Sequence, residues 1–132
     1  MTMTDTVADM ITRIRNGNMI NKSYVLIPQS RLREDAIKIL KEEGFIKDYE
    51  AVEEEGKHCL KVFLLYYSDS RKAINEIKKI SKPGGRIYVD RNKIPVIKGG
   101  TGIAIMSTSK GVMSNKKAKE QGLGGELLFH VW

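Results

Sequence analysis

The chain carries a single cysteine, Cys59, and only two histidines, His58 and His130. One thiol excludes an internal disulfide and any multi-cysteine zinc site. Each histidine falls in a predicted strand without an evident carboxylate partner. As strand neighbours, His58 and Cys59 point to opposite faces and cannot act as base and nucleophile. No spacing of His, Cys, Asp or Glu suits a metal. The glycine-rich stretches 99–102 and 122–125 lack the closing Gly-Lys-Ser/Thr of a phosphate-binding loop. Long apolar runs are missing too: none approaches the roughly 20 residues that cross a bilayer, and the first residues lack the basic-then-apolar layout of a signal peptide. These absences predict a cytoplasmic protein that is not an enzyme, with no cofactor, metal, small-molecule substrate or membrane partner.

Acidic residues are the other shortage, and it is local. The net charge is +7, yet residues 1–66 hold ten Lys/Arg against eleven Asp/Glu, while residues 67–132 hold thirteen against five. A solvated surface does not require that asymmetry, whereas a polyanion-binding face does. An anionic membrane is the rival partner, but the cations are not arrayed on one long amphipathic helix. With 132 residues, 41% of them apolar, the chain suffices for one ordinary domain or two small lobes sharing an interface.

Val7, Met10, Ile11 and Ile14 recur at helical spacing behind the capping candidates Thr4, Asp5 and Thr6, which predicts a first helix ending near Asn16-Gly17. Arg13 and Arg15 lie off its apolar stripe, on a face either solvated or open to phosphates. Residues 24–27 predict a strand closed by Pro28. Ser30 then caps a helix with Leu32, Ala36, Ile39 and Leu40 on one face and Gly44 as its stop. Residues 45–52 and 57–67 predict two strands around the acidic turn 53–56, a tip that should point away from a polyanion. Residues 1–68 thus read as helix, strand, helix, strand, strand. The polar stretch 68–71 marks a boundary to a second lobe, residues 69–132.

In residues 74–81, Ile74, Ile77 and Ile80 alternate with lysines in a pattern that leaves helix and strand both open. A turn at 82–85 precedes a predicted strand over 86–89, whose alternation sets Arg86 and Tyr88 on one face. Residues 91–94 are predicted as one helical turn ended by Pro95, and 98–102 as a flexible loop. A strand over 103–106, a polar loop over 107–111 and a short helix capped by Ser114 follow; that helix carries Lys116, Lys117 and Lys119 and stops at Gly122. Residues 126–132 close the chain as a strand. The expected fold class is α+β in two small lobes, the second mostly antiparallel strands with a short helix.

The run Ser107-Thr108-Ser109-Lys110-Gly111 sets three hydroxyls beside cations, and Gly111 lets a partner's backbone approach. A phosphodiester chain with exposed base edges suits such a loop. The competing interpretation is a turn that satisfies its own backbone.

That run, continued by Val112-Met113, a short basic helix and Gly124-Gly125-Glu126, resembles the small-subunit ribosomal protein family numbered eight. The resemblance extends to Ala8-Asp9-Met10-Ile11-Thr12-Arg13-Ile14-Arg15-Asn16 and to Ser81-Lys82-Pro83-Gly84, nearly the whole chain in order. It implies a structural constituent of the small ribosomal subunit that binds a central-domain helix of its RNA and aids assembly of the platform. Neighbouring small-subunit proteins are the other expected partners. An additional role as translational repressor, binding its own messenger RNA, is the alternative. The RNA-binding residues implied are Ser107, Thr108, Ser109, Lys110 and Gly111 with Gly124, Gly125 and Glu126; Tyr88, Arg86 and Lys82; and Lys116 and Lys117 as an electrostatic contribution. A second, weaker region comprises Thr4, Arg15, Asn16, Ser30 and Arg31. Glu126 is expected to be held by loop hydroxyls, backbone amides or base amino groups. The resemblance favours a strand over 77–81. Asn115 stands where the family more often has Asp, which removes a charge favourable to the helix N-terminus.

Overall fold

The structure, a computed structural model, describes residues 6–69 and 71–132. Thr4, an expected contact, and Asp5, a capping candidate, lie outside the described residues, as does Ser70 within the expected boundary. The described chain runs α1 (Thr6–Met19), β1 (Tyr24–Pro28), α2 (Arg31–Glu42), β2 (Ile46–Glu54), β3 (Lys57–Leu64), β4 (Ile77–Lys79) and β5 (Tyr88–Val89). It continues with β6 (Ile103–Thr108), β7 (Gly111–Ser114), α3 (Asn115–Gln121) and β8 (Gly125–Val131). Antiparallel strands form two sheets, ordered β1-β3-β2 and β4-β8-β6-β7, with β5 also pairing β8. This is the expected α+β class.

Helix α1 does not stop at Asn16-Gly17 but runs on to Met19. Gly17 is buried, and a Cβ there would collide with the Val25 side chain, so this glycine serves close packing of α1 on β1 rather than termination. The reversal falls at Asn21, whose φ of 57° is left-handed. Helix α2 begins as expected, with the Ser30 hydroxyl accepting from the Arg33 amide at 3.2 Å. Its buried stripe is Arg33, Ala36, Ile37 and Leu40, with Leu32 and Ile39 at the flanks. Ile37, absent from the expected face, is fully buried. The β2–β3 hairpin is tighter than expected: Glu53 and Glu54 still pair with His58 and Lys57, leaving Glu55-Gly56 as a two-residue turn with both φ positive.

One apolar cluster joins Met10, Ile14, Ile37, Leu60 and Val62 to Ile77, Ile105, Phe129 and Val131, so both sheets share a core with α1 and α2. A second cluster, with Ala104, Met106, Met113 and Leu127, packs under α3 on the opposite face of the larger sheet. The expected helical turn at 91–94 is a plain turn closed by the Lys93 amide on the Asp90 carbonyl; a 3-10 turn falls instead at Lys98–Gly100, within the expected loop. Residues 77–79 are a strand, and the Ile80 and Ser81 amides continue its pairing with β8. The strand expected over 86–89 shrinks to Tyr88–Val89.

Candidate nucleic-acid interface

The expected loop over 107–111 is mostly strand. Ser107 and Thr108 end β6, Gly111 begins β7, and only Ser109-Lys110 forms the turn. Strand β7 was not legible in the sequence. Its consequence is that Ser107 and Thr108, as strand neighbours, project to opposite faces. Thr108 closes the turn on itself: its hydroxyl donates to the Gly111 carbonyl at 2.8 Å and accepts from the Lys110 amide at 3.2 Å. Ser109 and Lys110 are exposed at the tip, and Gly111 holds φ at 113°.

Across the sheet, Tyr88 pairs with Glu126, Glu126 with Ser107, and Ser107 with Val112. Cross-strand partners share a face, so a phenol, a carboxylate and a hydroxyl stand in one row. Tyr88 is 68% exposed, which rules out a core tyrosine. The Glu126 side chain is only 14% exposed and accepts from the Arg86 guanidinium at 3.1 Å. Its partner is therefore Arg86, not the loop hydroxyls or amides expected. Pairing permits an acid in a basic surface, because an unpaired, largely buried carboxylate would be costly.

Gly124 and Gly125 have a packing reason of their own. A Cβ at Gly125 would collide with the Ser107 carbonyl oxygen, and one at Gly124 with that of Val89. The pair lets β8 pass between β5 and β6 and so fixes Glu126 in the row.

Next to the row, Ser81 is buried, and its hydroxyl accepts from the Ile87 amide at 2.9 Å, setting the 82–85 turn. That turn carries exposed Lys82 beside Arg86. Burial, and then repulsion from Lys82 and Arg86, hold the Lys79 ammonium below its ordinary pKa of 10.5. Three cations thus crowd one corner of the sheet.

A family model for ribosomal protein S8 matches residues 5–132. The chain belongs to that family. It is 47% identical to the small ribosomal subunit protein uS8 of Halothermothrix orenii over 132 residues, the full length of both. The proteins of the same name from Syntrophomonas wolfei and Geobacter sulfurreducens are each 50% identical over the same full span.

In this member of the S8 family the remaining expected contacts are spread apart. Arg15 donates to the Ile77 carbonyl at 2.5 Å, closing the outer edge of β4, while neighbouring Asn18 donates to the Ile74 carbonyl at 3.0 Å. Asn16 lies on an exposed groove with Tyr24 and Arg13, Ser30 is committed to its cap, and Arg31 is exposed beside it. Lys116 donates to the Gly100 carbonyl at 2.9 Å and, with Lys119, borders an apolar groove against Ile94 and Val96, on the α3 side of the sheet. Lys117 is exposed. The surplus cations are thus divided between the two faces.

Three residues escaped the sequence. Arg33, 8% exposed, donates to the Thr6 and Pro28 carbonyls and to Asp9, tying α1 to β1. A cation on an apolar stripe was the available signal. Asn115 is 4% exposed; its Oδ1 accepts from the Ala104 amide at 3.0 Å and its Nδ2 donates to the Pro95 carbonyl at 2.9 Å. His130, expected to lack a carboxylate partner, meets Glu76 at 3.0 Å. Among the described residues no helix is long and apolar enough to cross a membrane.

Proposed function

We propose that this protein is a constituent of the small ribosomal subunit and binds the RNA of that subunit directly, at a distorted central-domain helix, aiding assembly and stability of the platform. The observation that carries this reading is the row Tyr88, Glu126, Ser107 flanked by Lys82 and Arg86. Double-stranded RNA hides its base edges in a deep, narrow groove, so recognition falls on backbone, 2′-hydroxyls and unstacked bases. An exposed phenol offers a stacking surface, a paired carboxylate accepts from an amino group or 2′-hydroxyl, and the cations meet phosphates. The full-length relatives named as small-subunit proteins support the ribosomal setting.

The surface recognises shape and backbone, so an element in the protein's own messenger that imitates the ribosomal site would occupy it equally. Repression of its own synthesis is the second role the same residues allow. Chemical probing of small-subunit RNA with the purified protein tests the first reading. One protected helix in the central domain, lost in a Glu126→Ala, Tyr88→Ala double variant, is expected; protection that survives the double variant would move the interface elsewhere. A messenger fragment that competes for that protection tests the second.

A further inference from the structure

The smaller sheet has one face on which no other described element packs. Val25, Ile27, Leu60 and Val62 point into the core shared with α1 and α2. Their strand neighbours therefore point outward. Register sets Tyr24 beside Phe63, Pro28 beside Cys59, and Val52 of β2 on the far side of Cys59. An antiparallel sheet with one face in water ordinarily alternates apolar inward with polar outward. Here the outward set is largely apolar as well: Tyr24 is exposed, and Leu26, Pro28, Val52, Cys59 and Phe63 are half-buried. We propose that this face is a docking surface for a cationic amphipathic helix of another protein. The proposal does not depend on the RNA reading above.

The dimensions suit one helix. Three strands about 4.8 Å apart, with same-face residues repeating about every 6.8 Å, make a face roughly 10 Å by 14 Å. An α-helix about 10 Å across covers it. A contiguous apolar patch of this kind on an exposed sheet marks an interaction site more often than a scatter of single side chains does.

Charge selects the class of partner. Glu50 and Glu54 flank Val52 on the same face, and no ion pair among the described residues engages either. Lys61 stands directly across from Glu50, yet its ammonium rests over the Tyr24 and Phe63 rings, 4.4 and 5.5 Å from their centroids. The acidic rim is thus open to a partner's lysines or arginines, while the rings and aliphatic groups offer apolar contact. Phosphates would be repelled by that rim, which sets this face apart from the one around Tyr88, where Lys82 and Arg86 stand. A chain of net charge +7 has no general attraction for a cationic helix, so binding has to come from a local site.

The test is titration of the isotope-labelled full chain, read from amide NMR shifts, with each of three probes in turn. One is a synthetic helix of leucine and lysine, with leucines at i, i+3, i+4 and i+7; the second carries glutamate for lysine; the third is single-stranded oligouridylate. The lysine helix should move the amides of residues 24–28, 50–54 and 59–63 to saturation, and the other two probes should leave them in place. Tyr24→Ser should weaken the lysine helix about tenfold, as expected of an aromatic anchor. Glu50→Lys, at an exposed position where folding is not at stake, should weaken it several-fold. No movement of this face by the lysine helix, equal movement by the glutamate helix, or affinity untouched by both substitutions would overturn the proposal. Movement of the face by oligouridylate would assign it to RNA instead. A dimer of the free chain in sedimentation, split by Tyr24→Ser, would assign it to a second copy and overturn the proposal equally.

Discussion

Replacing Asn115 separates two accounts of the start of α3. The helix-dipole account holds that Asp in the first turn would be better by about 0.3–1 kcal/mol, because a negative charge meets the positive helix end. The structure says otherwise. The Asn115 amide accepts from the buried Ala104 amide of β6 and donates to the Pro95 carbonyl, two bonds that only a side chain with both functions makes at once. In Asn115→Ala the Ala104 N–H, sealed from water, loses its partner at a cost of about 1–3 kcal/mol; the half-buried Pro95 carbonyl loses less, because water reaches it. A total near 2–3 kcal/mol is expected, a large part of the roughly 5–15 kcal/mol that holds a domain together. Asn115→Asp keeps the first bond but turns a carboxylate oxygen toward the Pro95 carbonyl, so it should also lose stability at neutral pH. Urea unfolding followed by circular dichroism reads both, as midpoints that fall at constant slope. An Asp variant at least as stable as the wild type, with an Ala variant within about 0.5 kcal/mol of it, would refute the bonding account and restore the dipole.

Tyr88→Ala should weaken RNA binding by about 1–3 kcal/mol while leaving the urea midpoint in place, since an exposed ring contributes stacking to the ligand and little to the core; an unchanged affinity on a filter-binding curve would remove the ring from the interface. Gly125→Ala should cost about 1–3 kcal/mol of stability, because the new methyl meets the Ser107 carbonyl across the β6–β8 ladder. It should also displace Glu126, so affinity measured on the fully folded fraction should drop; full stability in the denaturant assay would contradict the close approach.

Where a residue's role depends on its own neighbours in the chain, the sequence was sufficient. Ser30 and Ser114 cap their helices, and Gly122 ends α3 in the left-handed conformation expected of a terminating glycine. Patterning likewise exposed the period of α1, with Val7, Met10, Ile11 and Ile14 buried. Readings failed where a partner distant in the chain decides. Gly17 looks like a helix stop because glycine often is one, but Val25 of β1 presses against it and makes it an interior residue. Strand β7 is four residues long and opens on Gly111, too short for periodicity to register. The bond between Glu126 and Arg86 spans 40 positions, and nothing local distinguished Arg86 from other partners. Charge asymmetry does not distinguish the faces: Lys82 and Lys116 belong to the same excess and lie on opposite sides of the sheet.

Helix α1 explains why the cations converge at one corner. Both sheets have an open edge beside it, and an open edge invites foreign strands unless it is covered. Arg13 donates to the Leu26 carbonyl on the rim of β1, and Arg15 to the Ile77 carbonyl on the rim of β4, so one helix braces two edges through neighbouring arginines. Arg33, from α2, donates to the Pro28 carbonyl at the end of the β1 rim. Guanidinium groups committed to backbone carbonyls have fewer donors left for phosphates. Among the described basic residues near the junction, Arg31, Lys82 and Arg86 are turned outward, and Arg86 is positioned by Glu126. Bracing the two sheets thus falls to arginines committed to backbone carbonyls, so replacing Arg15 or Arg33 should lower the urea midpoint, whereas Lys82→Gln should leave that midpoint in place and alter only the salt dependence of RNA binding.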